Sequence, residues 1–466
     1  MWRHGDQPVR DGIVRFAMSK LICGNPSDLT TVWKFGVPVN VAFACLSQRL
    51  CIEFSSSKYN TDKETQIASH MRLCLKINSD NQFIISSSGS EPLLAEAAAT
   101  IMQMDVFKAA ESLKHVVSGF AINKGDRGEL VALLAMTRAR DLAIKKKTGG
   151  IDQSKRAGVI TEGQPVHRAV TVMEFLSQLF SLDSLKKPDL DRLSQDFKDA
   201  YIYFNHFIRP FDQSTFTLRF LMQYMTRGAG VLCSTNMPGI DAAFGVVFES
   251  EKGVVLREDQ MSIAAQQIKN DFHIRRHLHG KRIVQSMGSI VREMFRGIDR
   301  PRPVIRIVFS FGSTPELFYS TSTIDLGSGK SVTSHDFWCG GIGDFLLPAD
   351  NESKTSWEAL LSSTMKSKEL FEERDPKFKE FAKERVYLSP GGSQKHSFWQ
   401  WIEESNDDVA ESEAEEDRKE GLESKDSSFT SVRQLSKVEN VGKATNQKES
   451  PTPSIPAGSK RKRSKI

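Results

Sequence analysis

Three short segments carry the side chains whose types and spacing suggest chemistry. They are Gly125-Asp126-Arg127-Gly128-Glu129-Leu130-Val131, Met237-Pro238-Gly239-Ile240-Asp241-Ala242-Ala243-Phe244 and Ala264-Ala265-Gln266-Gln267-Ile268-Lys269-Asn270. The run from Ala242 to Glu249 reads as a strand. Its alternation puts Ile240, Ala242, Phe244, Val246 and Phe248 on one face, and Asp241, Ala243, Gly245 and Val247 on the other. Both faces are mostly apolar, as in an interior strand covered on both sides. A carboxylate in that setting is costly to bury unless a cation or hydrogen-bond donors compensate it. In the third segment the same period of two brings Gln267 and Lys269 to one face. If the two strands are neighbours, Asp241, Gln267 and Lys269 meet at one spot. Glu129 opens a helical pattern. Asp126, three residues earlier, gives it a second reading as one half of a capping box in an acidic first turn.

The surrounding pattern supplies the elements that must hold these groups. Leu130 to Ile144 reads as a helix with Leu130, Leu133 and Leu134 in its apolar stripe and Arg138 and Arg140 facing out. Ser90 caps a helix that has Pro92 in its first turn. Further helices are expected over 170–180, 193–208 and 218–225. Strands are expected over 242–249, 263–269, 304–311 and 52–55. Helices that precede and then alternate with strands argue for an α/β layer architecture around a mixed sheet. Gly340-Gly341-Ile342-Gly343 and Pro348-Ala349-Asp350-Asn351 are turn material, which sets a boundary near 346. The organisation expected is a folded unit over 1–345, a loosely packed appendage over 346–402, and a disordered tail over 403–466 that is first acidic and then basic. That tail has few large apolar residues and cannot offset its ordering entropy.

The segments around Glu129, Asp241 and Gln267-Ile268-Lys269 resemble the PD-(D/E)XK nuclease superfamily. In that family an Asp begins one strand, an acidic residue or Gln and a Lys two positions later lie on the next, and a Glu comes from an earlier helix. Gln48-Arg49-Leu50-Cys51-Ile52-Glu53-Phe54, 90–98, 128–132 and 238–241 also look like stretches of uncharacterised fungal nuclease-like proteins, so the resemblance extends over about 10–345. It implies a restriction-endonuclease-like core and a site made of Asp241, Gln267, Lys269 and Glu129. In such a site Asp241, Glu129 and Gln267 would ligate Mg²⁺ or Mn²⁺, two negative charges and a neutral carbonyl matching one hard divalent cation. Lys269 would orient water or stabilise charge on the phosphorane. The sequence departs from the pattern twice. Gln267 stands where many members have a second strand carboxylate, and Pro238-Gly239-Ile240-Asp241 replaces a direct Pro-Asp pair. The function implied is metal-dependent cleavage of DNA or RNA. The alternative is an inactive nuclease fold that binds nucleic acid or a protein partner.

Other features are read more narrowly. Arg275, Arg276, Lys281 and Arg282, with Arg292, Arg296 and the Lys145-Lys146-Lys147 run, are candidate phosphate contacts or a solvated face. His273, His277 and His279 lack partners at zinc-ligand spacing. Gly327-Ser328-Gly329-Lys330-Ser331 is not a phosphate-binding loop, because Ile324 stands where its first glycine is required. Net charge is only +5, with 63 basic and 58 acidic residues, so charge placement matters more than charge balance. The six cysteines form no Cys-x-x-Cys pair and read as buried free thiols of a reducing compartment. Neither a secretory pattern nor an apolar run of membrane-spanning length is seen. With the basic cluster Lys460–Lys465, this points to an intracellular, nuclear protein that does not engage a membrane.

Overall fold

The computed structural model describes residues 7–362 apart from 27–32, 34–35, 53–59, 78–83, 119–123, 148–168, 211–215, 234–236, 249–256 and 272. All of them fall in one compact unit. The expected tail from 403, its basic cluster and most of the expected strand over 52–55 lie outside the described residues. The chain begins with helices: α1 (Gln7–Ile22), α2 (Val39–Leu50) and α3 (Asn60–Ser69). A small hairpin of β1 (Arg72–Ile77) and β2 (Ile84–Ser88) leads to α4 (Pro92–Met102), α5 (Ala109–Ser118) and the long α6 (Lys124–Lys147). The second half alternates: β3 (Val170–Thr171), α7 (Val172–Leu179), α8 (Lys187–Asp196), β4 (Ala200–Ile202), β5 (His206–Ile208), α9 (Leu218–Thr226), β6 (Ala229–Leu232), β7 (Ala242–Phe248), β8 (Met261–Lys269), α10 (Arg276–Met294), β9 (Val304–Ser310), β10 (Glu316–Gly327), β11 (Lys330–Gly340) and α11 (Lys354–Ser362).

Among the described residues nine strands form one mixed sheet with helices on both faces, the architecture expected from the sequence. Its main path runs β10-β11-β9-β8-β7-β4-β3. β8, β9 and β11 are parallel to one another, whereas β7 is antiparallel to β8. The sheet forks at β7: β4 pairs along its later residues and β6 along Ala242 and Ala243. The alternation read from the sequence decides what each face meets. Ala242, Phe244, Ala264, Ile268, Ile305 and Phe309 share a core with the amino-terminal helices and α6. Ala243, Ile263, Ala265 and Val308 share another with α9 and α10.

Several elements differ from expectation. The helix expected over 193–208 ends at Asp196 and gives way to β4 and β5. The run Tyr201-Ile202-Tyr203-Phe204 is aromatic and β-branched, which suits a pleated surface. The β10–β11 hairpin also differs from expectation, because the polar run Ser320-Thr321-Ser322-Thr323 interrupts the apolar alternation that marks a strand. Its turn is Ser328-Gly329, both residues at positive φ, in the glycine-rich segment already excluded as a phosphate loop. Cys45, Cys233 and Cys339 are buried free thiols, but Cys23 and Cys74 are exposed. The stretch after Leu346, expected to pack loosely, is tied down as far as it is described. Asp350 pairs with Arg138 at 3.0 Å, and the Glu352 carboxylate accepts from the Ala110 and Glu111 amides that open α5. Trp357 and Leu360 are buried.

Arg138 and Arg140 are likewise drawn inward rather than out. Arg140 belongs to a buried polar chain that joins α2, α4, α6 and β5. Arg49 grips Asp141 with two nitrogens, at 2.5 and 3.0 Å, and donates its Nε–H to the Asn205 carbonyl at 2.9 Å. Arg140 donates to Asp141 at 3.0 Å and lies 3.6 Å from Glu96, which accepts from the Asn205 amide. Asn205 Oδ1 is 2.7 Å from His206 Nδ1, and His206 Nε2 is 3.0 Å from the Ser90 hydroxyl. Ser90 is therefore no helix cap. The cap position of α4 is Glu91, and Ser90 serves the histidine instead.

Burial, with Arg227 and Arg49 nearby, lowers the His206 pKa to about 3. In the unfolded chain the same ring takes up its proton near pH 6.5. Between those values the unfolded state binds more protons, so this contribution is complete above about pH 6.5 and is lost as pH falls toward 3. At pH 4 the loss should be about 3 kcal/mol. Urea midpoints measured from pH 7 to pH 4 should fall more steeply for the parent than for His206→Gln. Parallel curves would show that His206 does not titrate in this way.

Candidate functional site

Asp241 lies immediately before β7, and the strand ladder already includes its backbone. Its amide donates to the Gln266 carbonyl, and its carbonyl accepts from the Cys233 amide, both at 2.8 Å. Ala242 is opposite Gln266, so Asp241 faces Gln267 across the β7–β8 pair. The Gln267 side-chain amide donates to Asp241 Oδ2 at 2.6 Å, and the Ile268 amide donates to the same oxygen. Lys269 follows on the same face, close enough for its charge to favour the carboxylate. Burial acts the other way and dominates, raising the Asp241 pKa; Lys269, the Ile268 N–H and Gln267 only partly offset it. The three strand residues thus meet at one end of two adjacent strands, on the α9–α10 face.

The Pro-Gly-Ile-Asp departure has a structural reason. Gly239 has φ +81°, and a Cβ there would come within 2.7 Å of Ser286 on α10. The two extra residues fold the chain over α10 and bury Met237 and Ile240 against that helix's core. Only glycine fits both the backbone and the space.

Glu129 comes from the opposite side. A Cβ at Gly128 would lie 2.7 Å from the Asn270 Cβ and 3.6 Å from Ile268, so α6 touches the end of β8 on the face away from Gln267 and Lys269. α6 begins at Lys124, which puts Asp126 and Glu129 inside the helix rather than at the two ends of a capping box. Glu129 is half-buried and pairs with Arg209 at 3.7 Å. The buried Cys233 thiol reports on both carboxylates. Its pKa is raised first by burial, then by Asp241 and Glu129, while Arg209 opposes them. Arg209 and Cys233 are the neighbours that sequence reading missed. Arg209 follows β5 directly, and an Arg-Pro pair at a strand end was the only available signal.

The basic residues divide. Arg275, Lys281 and Arg282 are exposed around the start of α10, just after β8. Arg276 is held by Glu316 at 3.3 Å and lies 3.9 Å over the Phe318 ring. Arg292 donates to the Asp325 carbonyl, and Arg296 pairs with Glu293. Lys145 and Lys146 are about 25 Å along α6 from Glu129 and do not belong to this end of the sheet. Among the described residues no group of three or more His, Cys, Asp and Glu side chains is placed to hold a metal ion. The donors that could serve here are fewer and harder: the remaining Asp241 oxygen, the Gln267 carbonyl freed by its amide's bond to Asp241, and Glu129. A magnesium-like ion that keeps several waters needs no larger protein cage.

A family model described as Domain of unknown function (DUF8736) matches residues 40–277. The chain belongs to this family. The family's span carries Glu129, Arg209, Cys233, Asp241, Gln267 and Lys269 and runs into the first turn of α10. Its description names no activity. No curated protein and no solved structure matches the chain. Among the described residues no helix is long and apolar enough to cross a membrane.

Proposed function

We propose that this chain cleaves phosphodiester bonds of DNA or RNA in a metal-dependent reaction, through a restriction-endonuclease-like site of the PD-(D/E)XK kind. The observation that carries the reading is the meeting of Asp241, Gln267 and Lys269 at one end of β7 and β8, with the charges of Asp241 and of Glu129 on α6 both felt at Cys233. Asp241 and Glu129 would supply the negative charge that holds Mg²⁺ or Mn²⁺, and Gln267 a neutral oxygen. When bound, such an ion polarises a phosphoryl oxygen and lowers the pKa of a water. Lys269 would stabilise charge that develops on the phosphate. Arg275, Lys281 and Arg282 would hold the backbone of the substrate by charge alone.

One observation favours the second reading, an inactive fold that binds nucleic acid or a protein partner. Arg209 already pairs with Glu129, and a cation must compete with it. The two readings separate in one assay on the full chain. Labelled single-stranded and duplex DNA and RNA are incubated with Mg²⁺ or Mn²⁺, or with chelator. The nuclease reading expects cleavage only with metal. Salt-dependent binding without cleavage in either metal would support the inactive fold.

A further inference from the structure

At one edge of the sheet, β10 presents one large aromatic side chain to solvent on the face that carries Gln267 and Lys269. Phe318 is 41% exposed, although both of its chain neighbours turn inward or are half-covered. Register fixes its direction. Gln267 pairs with Val308, Val308 with Trp338, and Trp338 with Phe318, so all four side chains leave the same face of the sheet. Val308 and Trp338 are buried beneath α10, whose Gly280 would bring a Cβ within 3.6 Å of Trp338. Phe318 lies one strand further out, on β10, the last strand of the sheet on that side among the described residues. Arg276, from the first turn of α10, lies over its ring and is tethered by Glu316. Glu316 itself stands in the row that runs through Gly340 and Ser310 to Lys269. Three strand spacings separate Phe318 from Gln267, about 14 Å. That distance is roughly four nucleotides at the ~3.4 Å rise of a stacked strand, and fewer for an extended one.

From this juxtaposition we propose that Phe318 and Arg276 form a stacking platform for an unpaired base, and that the substrate class of the site is single-stranded nucleic acid. The inference rests on the nuclease-like reading above and specifies its substrate. Inside a duplex, each base face is covered by its neighbours, and a protein ring gains nothing from them. An unpaired base offers its face to any aromatic or guanidinium plane, whatever its sequence. The flanking Arg275, Lys281 and Arg282 hold phosphates of either form and cannot discriminate. Phe318 is therefore the group that sets the preference, and Arg276 adds charge to the stack.

The test measures binding rather than cutting. Anisotropy of a fluorescein-labelled 20-nucleotide oligo(dT), and of a duplex of equal length, is followed in chelator with the full chain, Phe318→Ala and Phe318→Trp. The parent should bind the single strand more tightly than the duplex. Phe318→Ala should lose roughly five- to a hundred-fold for the single strand, the range expected for one base stack, and stay within twofold for the duplex. Phe318→Trp should keep the single-strand affinity, which a merely misfolded alanine variant could not explain. Equal losses for both probes, no loss for either, or a parent that prefers duplex would overturn the platform and leave the nuclease reading standing if the parent still cuts in metal. A parent that binds neither probe and cuts neither would remove both.

Discussion

Replacing Asp141 by alanine should cost about 3–5 kcal/mol of folding stability, enough to leave much of the protein unfolded under mild conditions. Asp141 touches both Arg49 and Arg140, and all three side chains are at most 1% exposed. Removing it takes a full negative charge from between two buried guanidinium groups, while Glu96 stays 3.6 Å from Arg140. An uncompensated buried charge loses its hydration and gains nothing in return. Burial alone would raise the Asp141 pKa, but Arg49 and Arg140 pull it below the ordinary carboxylate range. The pair therefore stabilises the fold above that range and loses its effect as pH falls through the lowered pKa. Asp141→Asn should cost less than Asp141→Ala, because the amide retains an oxygen that can accept. As a control, Glu293→Ala breaks an exposed pair with Arg296 and should change stability by under about 1 kcal/mol. Urea denaturation of the three variants checks the order. A loss below about 1 kcal/mol for Asp141→Ala would mean that the chain relaxes to let water reach the arginines.

Asp241→Asn should abolish cleavage, a loss of at least about a thousand-fold, without unfolding the protein. Asparagine keeps the shape of the side chain and an oxygen for the Ile268 amide. It removes the charge that is assigned to metal binding. The sign of the stability change separates this loss from misfolding. Burial raises the Asp241 pKa despite Lys269, so the native state holds its proton to higher pH than the unfolded chain does. Above the ordinary aspartate range this carboxylate therefore destabilises the fold, increasingly as pH rises to its raised pKa. In chelator, Asp241→Asn should melt at the same temperature as the parent or higher. A lower melting temperature together with lost cleavage would make Asp241 a structural anchor of the β6–β7–β8 junction instead.

The strand pair that holds the candidate site was legible in the sequence because its signal is local. Period-two alternation around Asp241 and Gln267 fixes which side chains share a face, and a buried strand leaves little freedom of register. The positions of Glu129 and Arg209 were not legible in the same way. Glu129 lies on α6, which packs on the opposite face of the sheet through a close contact at Gly128. A helix start gives no sign of which strand end it will meet. An arginine in a helix usually faces solvent, which is why the sequence pattern points Arg140 outward. The carboxylates that draw it inward, Asp141 and Glu96, sit on two helices, and only tertiary packing brings them together. The β10–β11 hairpin is poorly legible because Ser320-Thr321-Ser322-Thr323 breaks the apolar alternation in the middle of β10. Its turn residues, Ser328 and Gly329, sit in a segment whose glycine spacing resembles a phosphate loop more than a tight turn.

The most direct test of the account compares metal binding with cleavage in two variants of one site. Mn²⁺ binding is measured by titration calorimetry on the parent, Asp241→Asn and Lys269→Ala, and each protein is assayed for cleavage of the same labelled strand. The parent should bind and cut, Asp241→Asn should do neither, and Lys269→Ala should bind Mn²⁺ with near-parent affinity but not cut. That split follows from assigning Asp241 to the ion and Lys269 to the developing charge. Mn²⁺ binding that is unchanged by Asp241→Asn, or cleavage that survives in either variant, would contradict it.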